Sequence, residues 1–288
     1  MPRNNRFSRF VAIDWSGAKG SRHKGIAVAL CTSGAAAPEI VVPPEKYWSR
    51  QAIADWVIVQ GQTSPTLFGF DFSFAPPRVE RQTYLPGDNT PDDARAFWTY
   101  VDQVCQDDDL GAASFLEQHH RRHFYFGKAD GVKADYMHLR RCEAHYNAGG
   151  GGKPSTVFDA IGAAQVAKAS FAGMRLLHRL GQHIPIWPFD PVPDAGSAIV
   201  EIYTSIAARA AGRPKGRSKI RDAATLDAAL ATVGSAHHTP ITAYDDHTTD
   251  AILTAAWLRQ HAPNPLYWSP ASMTAEIAQT EGWTFGVL

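Results

Sequence analysis

Two short apolar runs, each ending on an acid, constrain this chain more than any other feature. Phe10-Val11-Ala12-Ile13 runs into Asp14, and Thr66-Leu67-Phe68-Gly69-Phe70 runs into Asp71. Apolar runs of this length, bounded by turn residues, read as buried strands. A carboxylate at the end of such a strand costs several kcal/mol to bury unless it is paired or bound to metal. Asp14 is followed at once by Trp15-Ser16-Gly17-Ala18-Lys19-Gly20 and then by a second apolar run, Gly25 to Leu30. The N-terminal segment therefore reads as a hairpin with an acid at the tip of its first strand. Asp beside Gly is also a common turn former. For Asp14, and for Asp71 ahead of Pro76-Pro77, both the turn reading and the ligand reading stand open.

The remaining pattern sets the architecture. Strands are expected over 9–14, 25–31, 39–42, 66–72 and 198–203. Ser49 is placed to cap a helix running to about Gln60. Helices are expected over 91–106, 112–122, 157–181, 222–232 and from Asp246 to about His261, with 123–156 irregular. Three leading strands followed by strand–helix alternation imply an α/β fold with a mixed sheet and helices on its faces. With 288 residues, 44% hydrophobic and 19% charged, the chain fits one domain over 1–288 with a helical insertion over 91–195. Lys plus Arg number 28 and Asp plus Glu 28, so any nucleic-acid contact has to come from a local patch. Three scattered cysteines suit a reducing, cytoplasmic setting better than a disulfide scaffold. No signal-type apolar segment precedes Asp14, and no run of 18 apolar residues is present to span a membrane.

Further acids fall in related places. Glu201 lies in the fifth strand. Asp246 and Asp250, four residues apart, share a face of the last helix, and His247 and Asp250 share one at a spacing of three. If the first and fourth strands are neighbours, Asp14 and Asp71 lie side by side and the last helix brings Asp250 to them, with Asp246 or His247. Clustered carboxylates stay ionised together only with cations between them. Oxygen ligands suit Mg²⁺ or Mn²⁺, and a pair of such ions is the standard device for displacing a phosphodiester. Each acid also has a structural reading: Asp246 as a helix cap, Glu201 as a paired strand residue.

Basic residues form two groups. The loop with Arg209, Arg213, Lys215, Arg217, Lys219 and Arg221 can recognise phosphate, or it is a solvated loop, as Gly212, Pro214 and Gly216 favour. Arg121, Arg122, Lys128, Lys133, Arg140 and Arg141 interleave with Phe124, Tyr125, Phe126 and Tyr136, a mixture able to hold single strands. Asp130, Asp135 and Glu143 dilute its charge. His119 and His123 with Cys142 and His145 match no strong zinc spacing. The run Gly149 to Ser155 is not a phosphate-binding P-loop, because Asn147 replaces the first Gly and Pro154 follows Lys153; a hinge or lid is the better reading.

Taken together, Val11-Ala12-Ile13-Asp14-Trp15-Ser16-Gly17, Gly69-Phe70-Asp71-Phe72-Ser73, Glu201-Ile202-Tyr203, Asp246-His247-Thr248-Thr249-Asp250-Ala251 and the closing Glu281-Gly282-Trp283-Thr284-Phe285-Gly286 resemble an uncharacterised family of predicted nucleases with a ribonuclease H-like fold. His247 to Ala251 is also similar to the last catalytic helix of RuvC-type resolvases. The resemblance implies a five-stranded sheet of order 3-2-1-4-5 with its active site at the ends of strands 1 and 4. Asp14, Asp71 and Asp250 would form the metal core, with His247 as a further ligand or the group activating water. Asp246, a metal-ligand candidate, is offset by one residue from the RuvC spacing, and Glu201 is an additional acid that fits the predicted family better than the RuvC pattern. The expectation is a metal-dependent nuclease or phosphodiesterase using Mg²⁺ or Mn²⁺, one or two ions, with Lys19, Arg213, Lys215, Arg217, Lys219 and Arg221 on phosphate. The alternatives are an actin-like or sugar-kinase-like phosphotransferase, whose phosphate hairpin would run from Asp14 to Lys19, and a catalytically silent binding protein that keeps the fold.

Overall fold

The computed structural model describes residues 6–152, 154–161, 166–214 and 219–288. At its centre, strand β1 (Arg9–Asp14) pairs antiparallel with β2 (Ala27–Thr32) on one side and parallel with β4 (Thr66–Asp71) on the other. β3 (Glu39–Ile40) lies antiparallel beyond β2, and β5 (Ala198–Glu201) lies parallel beyond β4. The result is an open mixed sheet of five strands among the described residues, in the order 3-2-1-4-5. The hairpin turn makes the first pairing antiparallel. The parallel pairing of β1 with β4 needs a crossover, which α1 (Arg50–Thr63) supplies. Ser49 caps that helix by accepting from the Ala52 N–H at 2.9 Å. The helix stops at Ser64, whose extended backbone suits a residue before proline.

Strand alternation divides the interior into two cores. Val11 and Ile13 of β1 join Phe68, Phe70 and Ile199, and pack under Ile53 and Val57 of α1 and Leu176 and Leu177 of α4 (Val166–Leu180). Phe10 and Ala12 point the other way, with Leu67, Ala198 and Val200, toward Leu253 and Trp257 of α7 (Asp246–His261). That second face also takes residues of α5 (Thr204–Ala210) and α6 (Ala223–Thr232), while α8 (Ala275–Thr280) contributes Ile277. Between β4 and β5 lie α2 (Ala94–Val104), α3 (Arg141–Ala148) and α4. The segment expected as an insertion thus contains α4, which itself covers one face of the sheet.

Two glycines permit close approaches that the site depends on. A side chain at Gly69 in β4 would place Cβ 2.7 Å from Ile202 Cγ2 and 2.9 Å from Leu258 Cδ1, so its absence lets α7 press onto the strand. A Cβ at Gly17 would fall 2.2 Å from the Ala169 backbone N on α4. The hairpin turn therefore rests directly on that helix, and Trp15 Nε1 donates to the Ala169 carbonyl at 3.1 Å.

Several expected boundaries move. The helix expected over 112–122 is a five-residue π-helical turn, Phe115–His119, followed by a 3-10 turn, Arg121–His123. The helix expected from 157 is described from Val166. Residues 157–161 are instead extended or turned, because Tyr125 N–H donates to the Phe158 carbonyl at 2.9 Å and Ala160 N–H to the Tyr125 carbonyl at 3.0 Å. Backbone groups used in that bridge are lost to a helix. The fifth strand stops at Glu201, and α5 follows where a loop was expected, taking up Arg209.

Gly17→Ala is expected to lower stability to denaturant by about 1–3 kcal/mol, the cost of forcing extra volume into a close contact. An unchanged unfolding midpoint would mean that the turn does not rest on α4.

Candidate active site

The pairing register of β1 and β4 matches Asp14 with Asp71. Paired residues on parallel strands face the same side of a sheet, so both acids lie on the α7 side at the carboxyl ends of the two central strands. α7 starts above them. Asp245, not Asp246, is its cap, accepting from the Thr248 N–H at 2.9 Å. Asp250 sits one turn in, and His247 Nδ1 lies 3.1 Å from Asp14 Oδ1. The amino end of a helix carries partial positive charge, which favours the acids gathered there. Asp71 accepts from Thr204 Oγ1 at 3.3 Å at the start of α5. Asp14, Asp71, His247 and Asp250 all line one cleft of about 680 Å³, together with Lys219, Tyr203 and Tyr146.

The electrostatics bear the mark of crowding. Burial, then the charges of Asp14 and Asp250, push the Asp71 carboxyl well above its ordinary value. Burial also raises Asp14, against the hydrogen bond and charge of His247. Asp250 is pushed up to about 7, first by burial and then by Asp14. His247 is raised by its hydrogen bond to Asp14. Among the described residues no Lys or Arg makes an ion pair with Asp71 or Asp250. Three oxygen donors that repel one another, beside one imidazole, suit a hard divalent cation such as Mg²⁺ or Mn²⁺.

Glu201 borders the same cleft but is differently employed. Its register partner is Phe70, one residue short of Asp71, so it faces the opposite side of the sheet. There Arg140, itself 1% exposed, grips it through two bonds of 2.7 and 2.5 Å, while the Phe74 N–H and Thr284 Oγ1 donate at 2.8 and 2.5 Å. Arg140 also donates to Glu143 at 2.9 Å and to the Glu281 carbonyl at 3.1 Å. This is a satisfied buried ion cluster that ties β5, α3 and the C-terminal segment together.

Among the described residues, the expected phosphate-binding cations are mostly paired. Lys219 meets Asp246 at 2.6 Å and Arg221 pairs with the same carboxylate. These two cations hold the Asp246 carboxyl below its ordinary value, against the opposing effect of burial. Lys19 meets Glu117 at 2.9 Å. Arg213 donates to the Lys219 carbonyl at 3.4 Å, and Lys215, Arg217 and the lid residue Lys153 lie outside the described residues. In the second basic group Arg121 pairs with Asp130, Arg122 with Asp88, Lys133 with Asp159 and Arg141 with Glu80. With Arg140 held by Glu143 and Glu201, five of the six cations in that group are ion-paired. Cys142 is buried in the core, its thiol pushed up to about 12 by burial, and His145 Nε2 faces the Leu288 carbonyl. Neither joins His119 or His123 in a zinc site.

Residues without a sequence signal complete the frame. Arg50, 1% exposed, donates to the Ser16 carbonyl at 3.1 and 2.9 Å and to the Ala18 carbonyl at 2.6 Å, holding the turn beyond Asp14. Burial draws its guanidinium down to about 10. Arg140 was expected in the second basic group as a nucleic-acid contact, but it is 1% exposed and bound to Glu201 and Glu143. The one sign of this in sequence is Glu143 three residues on, which closes back on the Arg140 N–H at 2.9 Å. Comparison of the chain with protein-family models, curated proteins and solved structures gave no match.

The two sets of buried acids predict opposite responses. A carboxyl whose folded value is raised binds more protons folded than unfolded between its two pKa values, so it takes stability away as pH rises through that window. For Asp250 the window runs from 3.8 to about 7. In EDTA, Asp250→Asn should therefore match the wild type near pH 4 and melt higher at pH 8, by about 2–4 °C for each kcal/mol of strain relieved. A Tm below wild type at pH 8 would contradict this. Arg140→Met should instead lose about 3–5 kcal/mol, because Glu201 and Glu143 are left buried without their partner. Denaturant titration reads that loss, and an unchanged midpoint would remove the structural role given to the cluster.

Proposed function

We propose that this chain is a metal-dependent phosphodiesterase of ribonuclease H-like fold, acting on nucleic acid, with Asp14, Asp71 and Asp250 as its metal ligands. The observation that carries the reading is the convergence of these three mutually repelling carboxylates, from two adjacent parallel strands and one helix amino end, in one open cleft. The sheet order 3-2-1-4-5 and the position of the acids at the carboxyl ends of its central strands support the assignment of fold.

Mg²⁺ or Mn²⁺ bound by these acids supplies neutralisation of their charge, polarisation of a phosphoryl oxygen and activation of water. Asp14 and Asp71 project from adjacent positions of a rigid sheet, so their Cα atoms are held at a fixed spacing by the strand ladder. Asp250 closes the group from α7. His247, hydrogen-bonded to Asp14 and half-exposed at the cleft mouth, is the group placed to take or deliver a proton at its ring nitrogens. Lys219 at the cleft edge draws a polyanion toward the acids, with Asp246 holding its ammonium in place. Asp246 is thus read as an anchor for cations, and Glu201 as part of the supporting frame.

The test is cleavage of single-stranded and duplex DNA and RNA, and of an activated phosphodiester, with Mn²⁺ present. The wild type is expected to cleave at least one of these, EDTA to abolish cleavage, and Asp71→Asn to reduce it by about 10²-fold or more. Cleavage of none, or undiminished cleavage by Asp71→Asn, would overturn the proposal.

A further inference from the structure

We propose that Asp88, His120 and His123 form a second metal site, for one zinc-class divalent ion, which clamps the segment after β4 to the helical region and is independent of the function proposed for the cleft. Asp88 ends a turn in which its N–H donates to the Leu85 carbonyl at 3.0 Å. His120 precedes the 3-10 turn that follows the π-helical turn, and His123 is that turn's last residue. None of the three lines the cleft over Asp14 and Asp71.

The donor atoms already converge. His120 Nδ1 and His123 Nε2 each lie 2.8 Å from the same oxygen, Asp88 Oδ2. One ligand atom from each residue falls within 4.8 Å of the others. Ligands about 2.0–2.1 Å from a tetrahedral ion sit about 3.3 Å apart, so the ion enters as each His–Asp88 pair opens by about half an ångström and the two imidazole nitrogens, within 4.8 Å of each other, adjust to the same spacing. Two imidazoles and one carboxylate suit Zn²⁺ better than the harder ions expected in the cleft, and water can fill the fourth position.

The surroundings hold these groups in ligating form. Tyr100 OH on α2 lies 2.9 Å from His120 Nε2, which fixes the ring and leaves Nδ1 turned to Asp88. Such outer partners orient metal-binding imidazoles. Arg122 pairs with the other oxygen of Asp88, leaving Oδ2 for the site. Burial draws both imidazoles below their ordinary value despite Asp88. The hydrogen bonds from the two histidines hold the Asp88 carboxyl low against the opposing effect of burial. Neutral imidazole and ionised carboxylate are the forms a metal takes. His123 Nε2 also accepts from Arg122 Nε at 3.2 Å. An ion at that lone pair displaces this contact, and Arg122, with a side chain 61% exposed, can swing from it while keeping its bond to Asp88 Oδ1.

The experiment is calorimetric titration of the full chain with Zn²⁺ in an Asp71→Asn, Asp250→Asn background that silences the cleft, with X-ray absorption of the zinc-loaded protein. One ion per chain is expected, with two imidazole nitrogens in its coordination shell. His123→Gln should weaken binding by at least about 100-fold and Tyr100→Phe by about 10-fold. No zinc uptake, equal affinity in His123→Gln, or an oxygen-only shell would overturn the proposal. The absorption spectrum decides the matter even where His123→Gln fails to fold.

Discussion

The parallel pairing of β1 with β4, in the register that sets Asp14 against Asp71, is the constraint on which the rest of the structure depends. In a sheet covered on both faces, a slip of one residue would exchange the side chains of the two cores. Here Phe10, Ala12 and Leu67 fill one core while Val11, Ile13, Phe68 and Phe70 fill the other, and the observed register serves both. The two acids that follow must then emerge on one face. Gly69 lets α7 close over that face, and the capped start of α7 carries His247 and Asp250 to the same point.

The molecule treats its buried carboxylates in two ways. On one face of the sheet Glu201 and Glu143 are answered by Arg140, and the cluster is satisfied by bonds to the Phe74 N–H and Thr284. On the other, burial raises Asp14, Asp71 and Asp250, and the charge of Asp14 raises the latter two further, with His247 and Thr204 bonded to the group among the described residues. The first arrangement holds the fold together and the second opposes it. A sheet with deeply buried strands can tolerate that opposition, and strain retained in a cleft points to a role that structure alone does not require. Arg50, pinning the turn beyond Asp14, and Gly17, seated on α4, keep the strained group in place.

Much of this was legible in the sequence because it rests on local pattern. Continuous apolar runs gave β1 and β4, the hairpin gave the antiparallel neighbour, and the spacing of His247 and Asp250 gave a shared helical face. The place of Glu201 was not legible, since it turns on a single residue of register between β4 and β5 that no local pattern encodes. The partners of Arg140 lie 61 residues away at Glu201 and 141 away at the Glu281 carbonyl, and only packing reveals them. The same holds for Lys219 and Arg221, which read as a phosphate patch in sequence and meet Asp246 in space. The helix expected from residue 157 failed for a related reason: Tyr125, far upstream, takes the backbone bonds that helix needed.

The central claim, that Asp14 and Asp71 share a divalent ion, is tested most directly by the crystal structure of the protein soaked in Mn²⁺. The account predicts anomalous density between the two carboxylates, with oxygen distances near about 2.1 Å, and Asp250 turned toward the same ion or a second one beside it. Manganese bound only at Asp246 or elsewhere on the surface, with the Asp14 and Asp71 carboxylates pointing apart, would contradict it.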